Sequence, residues 1–464
     1  MVFYNTRSRS KEPFEPIEPG HVRIYSCGPT VYAPQHLGNL RPYLFADILK
    51  RTLLESDYRV THVINITDVG HLTDDADAGE DKMEKAAAKT GRQAAEIAAE
   101  YTEQWLEDRR RLGCLEPEVL CKATEHIEEQ IALGLRLEEK GFTYRTSDGI
   151  YYDVSRFSAY ADFAGLALSA QSDGGRIEEV AEKRNPADFA IWKFAAEGVK
   201  RQQEWDSPWG RGFPGWHLEC SAMSSKYLGE HFDIHTGGID HVPVHHTNEI
   251  AQSEGAFART PWVNYWLHNE FIDFKGQKMS KSKGSVLLLQ DLVDAGYEPM
   301  AYRYWFLQAH YRQQQSFTDD AIAAAAKGYR RLVAHAAELR AVPGPGDPER
   351  QAPLRARFRA AMHDDLNAPQ AMAVAWEVAR SGELPDPDKR DLLLHFDRIL
   401  ALGLASAAPE AAAESDPRID ALVLEREAAR KGRDFATADR IRDELAAEGV
   451  VITDTPEGPT WKRE

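Results

Sequence analysis

The chain has 464 residues, 43% apolar and 28% charged, and its 74 acidic against 56 basic side chains leave a net charge of −18. That length suits about three domains, and the acidic balance disfavours indiscriminate adhesion to nucleic acid or anionic lipid while leaving room for a specific RNA held by local basic patches. Four cysteines, Cys27, Cys114, Cys121 and Cys220, are too few for a disulfide scaffold, and no apolar run reads as a secretory signal or a membrane span. The expectation is a cytoplasmic protein with reduced thiols and no membrane partner.

In chain order, Val22 to Cys27 reads as a short strand, followed by a Gly28-Pro29 turn and an apolar helical pattern through Leu40, Leu44, Ile48 and Leu53. Val60 to Thr67 restores strand character, which makes a βαβ unit, the building block of a parallel sheet with nucleotide sites at its strand ends. No dinucleotide glycine fingerprint is present. From about Ala76 to Lys140 the pattern is helical and charged, and Gly141 to about Asp188 mixes strand-like pieces with turns, as an insertion into the nucleotide domain would. Strand character returns at Phe232 to His235 and Tyr265 to His268, bracketing a helix that begins near His245. Beyond Phe317 the pattern is amphipathic helix, broken by the Pro/Gly-rich hairpin Val342 to Pro348. The Ala-rich run Leu404 to Asp416 reads as a linker, and a last unit from about Pro417 has a helical pair and a strand-like end.

His36-Leu37-Gly38-Asn39 falls where the first strand's turn meets its helix, a place where free amides and an imidazole suit phosphate; a plain helix cap is the alternative. Lys278-Met279-Ser280-Lys281-Ser282-Lys283-Gly284 is a loop able to wrap a triphosphate and to gain interaction as charge builds on pyrophosphate, or else a solvated lysine loop. Cys27, Cys220, His245 and Glu249 are metal-competent, and together thiolate, imidazole and carboxylate suit zinc. His245 and Glu249, four apart, share one helix face; each cysteine alone reads equally as a small core residue. His246, beside His245, has no assigned role, and a structural hydrogen bond is its plain reading. Gly237-Gly238-Ile239-Asp240 permits close approach of a nucleoside, with Asp240 on a polar group, or is a tight turn. Trp216 either walls a small pocket or is simply packed.

In this order these segments resemble the cysteinyl-tRNA synthetases, a group of class I aminoacyl-tRNA synthetases, almost end to end. The specific parts are Cys27 to Tyr32, His36 to Asn39, Gly215 to Met223, His245 to Gln252 and Lys278 to Ser282, with Asp364 to Pro369, Arg430 to Leu445 and Asp454 to Pro456 behind them. The resemblance implies an α/β fold: a Rossmann-type catalytic domain over 1–305 with a connective peptide inserted at about 113–200, a stem-contact segment and helical bundle over 306–405, and a small anticodon-binding domain over 417–464.

It also implies one zinc ion on Cys27, Cys220, His245 and Glu249, with ATP and Mg2+ served by His36, Asn39, Gly238, Asp240, Lys278 and Lys281. Gly28, Thr67 and Trp216 would meet the amino acid. The implied reaction activates L-cysteine to its adenylate and passes it to the terminal ribose of tRNA-Cys, in a monomeric enzyme. Asn39 stands where the family motif ends in His, Thr247 where many relatives have Glu, and Asn65 to Asp68 continues as Val69-Gly70-His71. Three other readings are a cysteine ligase acting on a small amine, as the mycothiol ligases do, a non-catalytic paralogue that binds nucleotide or RNA, and a zinc hydrolase. The first is opposed by the tail from Arg430 to Trp461, the second by Lys281 with the ligand set, and the third by a lysine loop that would be idle in it.

Overall fold

A short antiparallel hairpin, β1 (Val2–Asn5) with β2 (Ser10–Pro13), leads into β3 (His21–Ser26), the strand around which the fold is organised. The computed structural model describes residues 1–70, 81–165, 182–195, 201–274, 287–407, 416–432, 434–455 and 458–463; Lys278, Lys281 and His71 lie outside them. Successive side chains of a strand point to opposite faces. Accordingly Val22 and Ile24 enter one hydrophobic core, while Tyr25 and Cys27 enter a second on the far side of the sheet.

The first core is completed by α1 (Leu37–Leu54), which returns the chain to β4 (Arg59–Ile66), parallel to β3. Helices α2 (Lys82–Thr90) and α3 (Ala94–Arg111) then precede β5 (Val119–Lys122), which pairs parallel with β4. This strand corrects the all-helical reading of the stretch from Ala76 to Lys140. It is four residues long with Leu120 and Lys122 exposed, too short for an alternation to stand out among charged helices.

Helix α4 (Ile127–Glu139) leads to four antiparallel strands, β6 (Thr143–Arg145), β7 (Gly149–Tyr152), β8 (Phe189–Phe194) and β9 (Gly212–Pro214), paired in that order. The main sheet resumes through α5 (Trp216–Leu228), β10 (Phe232–Gly238), α6 (Thr247–Phe257) and β11 (Val263–Asn269). Its order is β11-β10-β3-β4-β5, all parallel. The winding therefore reverses between β3 and β10, and the crevice beyond those two strand ends is where open α/β sheets bind ligands.

A two-residue pair, β12 (Ile272–Asp273) with β13 (Gln315–Ser316), brackets α7 (Leu289–Asp294) and α8 (Pro299–Phe306). The bundle follows as α9 (Asp319–Arg340), α10 (Pro348–His363), α11 (Ala368–Arg380) and α12 (Asp386–Leu400). Leu404 and Ala407 are buried in the bundle's core, so the first residues expected to be linker are packed ones. The last unit has α13 (Pro417–Lys431), α14 (Phe435–Ala447) and the hairpin β14 (Val450–Thr455) with β15 (Gly458–Arg463), around Ile419, Val423, Ile441 and Leu445.

Two buried polar anchors join bundle and sheet. Arg303 donates to Asp47 (2.6 Å) and to the carbonyls of Leu400 (2.7 Å) and Leu112 (3.0 Å). Asp365 accepts from the Tyr4 amide (2.9 Å), the Tyr311 hydroxyl (2.6 Å) and Arg312 Nε (2.8 Å). Among the described residues no helix is long and apolar enough to cross a membrane.

Candidate active site

Cys27 is the first residue past β3, and its amide donates to the Thr236 carbonyl of β10 at 3.3 Å, which pins it at the winding reversal. The next amide, Gly28, donates to Asn65 Oδ1 at 2.8 Å, and a Cβ on Gly28 would fall on the Asn65 carbonyl. Gly215 starts α5 and Cys220 lies one turn in, while the helical turn Val242–His246 runs into α6 and stacks His245 one turn before Glu249. Sγ of Cys27, Sγ of Cys220, a ring nitrogen of His245 and a carboxylate oxygen of Glu249 all lie within 4.8 Å of one another. These residues are 8%, 1%, 2% and 0% exposed.

The donor set fits a zinc ion. Glu249 Oε1 stands 2.9 Å from His245 Nε2 yet forms no hydrogen bond, as atoms do that converge on a common point rather than on each other. Burial opposes charge on Glu249, but His235 and His245 outweigh it and bring its carboxyl down to about 2. Burial likewise opposes charge on His245, which Glu249 and Cys220 raise to about 10. The hydrogen bond from Cys27 lowers the Cys220 thiol, while burial and that same bond push Cys27 well up. A buried carboxylate beside two sulfurs and an imidazole is a donor set of the kind zinc accepts.

Histidines back the four. His235 Nε2 lies 3.0 Å from Glu249 Oε2, and His217 Nδ1 lies 2.9 Å from His245 Nδ1. His246 makes the expected hydrogen bond, Nε2 to Cys27 Sγ at 3.3 Å, and continues through Nδ1 to His268 Nε2 at 2.7 Å. His268 ends the line on Thr6 Oγ1 at 2.7 Å. Sequence reasoning missed His217, His235 and His268; the available signal was an imidazole inside otherwise apolar buried segments. Trp216 stacks on His245, the ring centroids 4.5 Å apart and the planes 27° from parallel.

Other expected residues are placed as follows. The Thr67 hydroxyl ends β4, donating to Glu219 Oε2 at 3.0 Å and accepting from Asn65 Nδ2 at 3.1 Å. Gly237 is small for a reason other than a nucleoside: a Cβ there would come within 2.6 Å of His246 Cε1. Gly238 is half-buried and Asp240 is exposed at the mouth.

His36 is the N-cap of α1, its Nδ1 accepting from the Asn39 amide at 3.3 Å, and the Leu37 amide donates to the Leu287 carbonyl at 2.8 Å. The helix-start amides expected to be free are thus partly engaged within the chain. The Asn39 side chain is exposed, and burial lowers the pKa of the His36 imidazole below its ordinary value. Phe274, the last described residue before the lysine loop, has its ring 6.4 Å from that of His36, and Leu287, the first after it, bonds Leu37. Phe274 and Leu287, the described residues on either side of the segment that holds Lys278 and Lys281, therefore both lie beside His36.

Comparison with known proteins agrees along the whole chain. Residues 13–327 match the family described as tRNA synthetases class I (C) catalytic domain, 357–382 the DALR domain and 412–461 the cysteinyl-tRNA ligase anticodon binding domain. The chain is 48% identical to cysteine–tRNA ligase 1 of Burkholderia lata over 99% of its own length and 96% of that protein. It is 43% identical to the cysteine–tRNA ligase of Treponema denticola over 100% of this chain and 99% of that one. A methionyl-tRNA synthetase of Mycobacterium tuberculosis, solved with methionyl-adenylate, shares the fold with a TM-score of 0.55 at 17% identity, over 84% of this chain and 92% of that one.

Proposed function

Since the chain belongs to the cysteinyl-tRNA synthetases, ligases that use ATP to attach cysteine to tRNA, we propose that Cys27, Cys220, His245 and Glu249 hold a zinc ion that receives the substrate's sulfur. The convergence of these four buried side chains at the winding reversal carries the reading. Bound there, zinc supplies a position that takes a soft thiolate far better than a hydroxyl, whereas an apolar pocket alone separates near-isosteres by only about 10- to 200-fold.

The chain's own residues do the remainder. Trp216 and the Gly28 backbone enclose the amino acid, and Thr67, tied to Glu219, closes its far side. The carboxylate of cysteine attacks the α-phosphorus of ATP, giving cysteinyl-adenylate and pyrophosphate, and the terminal ribose hydroxyl of tRNA-Cys then takes the acyl group. His36 and Asn39 donate to the triphosphate, and Gly238 and Asp240 border the nucleoside. Lys278 and Lys281, with Mg2+, gain interaction as charge builds on pyrophosphate, the differential stabilisation that accelerates the step.

The same proposal divides the chain into 1–305, with the connective peptide inserted at about 113–200, 306–405 and 417–464. It includes a cytoplasmic, monomeric enzyme. Cysteine-dependent ATP–pyrophosphate exchange tests the site. Cys27→Ser and His245→Ala are expected to lose both bound zinc and the preference for cysteine over serine; variants that keep that preference would remove the metal from recognition.

A further inference from the structure

The metal pocket holds more donors than a four-coordinate ion uses. Cys27 and His245 form one edge of the quartet with Cys220 and Glu249. The same edge closes a second quartet with His241 and His246, whose donor atoms are again all within 4.8 Å of one another. His246 is committed at both nitrogens, to Cys27 and His268. His241 is different: its Nδ1 is buried and makes no hydrogen bond.

The His241 ring stands 5.0 Å from that of His245, 5.1 Å from that of His246 and 6.3 Å, edge-on, from Trp216. It is half-buried, at the end of the turn Ile239–His241 where the chain leaves β10, and so lies on the mouth side of the pocket. The strand end beneath it is cleared of side chains, since a Cβ on Gly237 would come within 3.0 Å of His241 Nδ1. Leaving a buried nitrogen unpartnered is unfavourable, and a ligand on that side removes the cost.

We propose that His241 is a displaceable ligand of the metal: without amino acid its imidazole takes the position on the mouth side, and the sulfur of cysteine replaces it. One metal–nitrogen bond breaks, one metal–sulfur bond forms, and the thiol proton passes to solvent. This inference rests on the zinc reading above. An internal competitor lowers the apparent affinity of every incoming ligand by the same factor. His241 therefore sets how tightly cysteine is held without altering the choice between cysteine and serine.

The test uses the full chain with cobalt in place of zinc. X-ray absorption is expected to count two imidazoles on the metal without cysteine and one with it, and one in both states for His241→Leu. The cysteine KM of His241→Leu falls, by about tenfold if the imidazole occupies the metal about nine-tenths of the time, while the ratio of kcat/KM for cysteine over serine holds. Free imidazole added to His241→Leu restores the second nitrogen and competes with cysteine. His241→Gln, polar but a poor metal ligand, gives the same results and separates them from any disturbance of the turn by leucine. A single imidazole in the wild-type protein in both states, with the cysteine KM unmoved in both variants, overturns the assignment while leaving the zinc reading intact. A wild-type chain that takes up no cobalt overturns both.

Discussion

His217 and His245 face each other through their Nδ1 atoms at 2.9 Å, so one of the two nitrogens carries a hydrogen and the other receives it. His245 turns Nε2 toward Glu249, 2.9 Å away, where the proposed zinc would be held. Its Nδ1 is then the donor and His217 the acceptor, which fixes both tautomers. His217→Leu is expected to weaken zinc binding by about 10- to 100-fold, the usual effect of losing such a partner. Competition with a chromophoric chelator measures it, and circular dichroism should show the secondary structure retained.

Gly28→Ala should be among the most damaging single-atom changes in the chain. The added Cβ falls on the Asn65 backbone carbonyl, and neither backbone can yield without moving Cys27 or the end of β4. Overpacking of a rigid contact costs about 1–3 kcal/mol or more. A lowered unfolding temperature together with reduced zinc content is the expected result; a lower temperature with full zinc content would place the strain elsewhere.

How much of this was legible in the sequence follows from which features are local. His245 and Glu249 are four apart on a helix, so their shared face was readable from spacing. The meeting of Cys27 with Cys220 was not, because it depends on β10 pairing with β3 rather than following it outward from β5, a property of strand order. The resemblance supplied what spacing lacked. β5 was lost because four residues, of which only Cys121 is buried, are too few for an alternation to stand out. His235 was lost because an imidazole on a buried strand looks like a packing residue until Glu249 is placed 3.0 Å away. His36 is open in the sequence to phosphate binding or to plain helix capping, and the structure shows the cap.

Acid should destabilise the protein partly through His62. This buried imidazole sits 2.8 Å from Ser26 Oγ inside the sheet, and burial, then Lys50 and Arg109, lower its pKa from 6.5 to about 3. Between those two values the unfolded chain binds a proton that the folded one refuses. Its contribution to stability is therefore whole above pH 6.5 and is lost as pH falls toward 3, with a limiting slope of about 1.4 kcal/mol per pH unit. His62→Gln should flatten the decline of unfolding temperature between pH 6.5 and 4.5 relative to wild type, in thermal scans at matched ionic strength. Parallel curves would assign the acid sensitivity to other groups.

Arg303→Met should destabilise the joint between sheet and bundle by about 3–5 kcal/mol, because it leaves Asp47 buried with one cation fewer. Burial opposes ionisation of Asp47, and the nearby Arg303 and Arg51 overcome it, holding its carboxyl below the usual range. Removing both charges in Asp47→Leu/Arg303→Met should recover part of the loss. Urea unfolding of the two variants measures this; equal losses in both would mean that Arg303 acts through its bonds to Leu112 and Leu400 alone.

The Asp365 carboxylate fastens the N-terminal strand, the Tyr311-Arg312 segment and the entry to α11 at one point. The hairpin that opens the chain and the start of the bundle's third helix therefore share one anchor, and neither shifts without breaking bonds to the other.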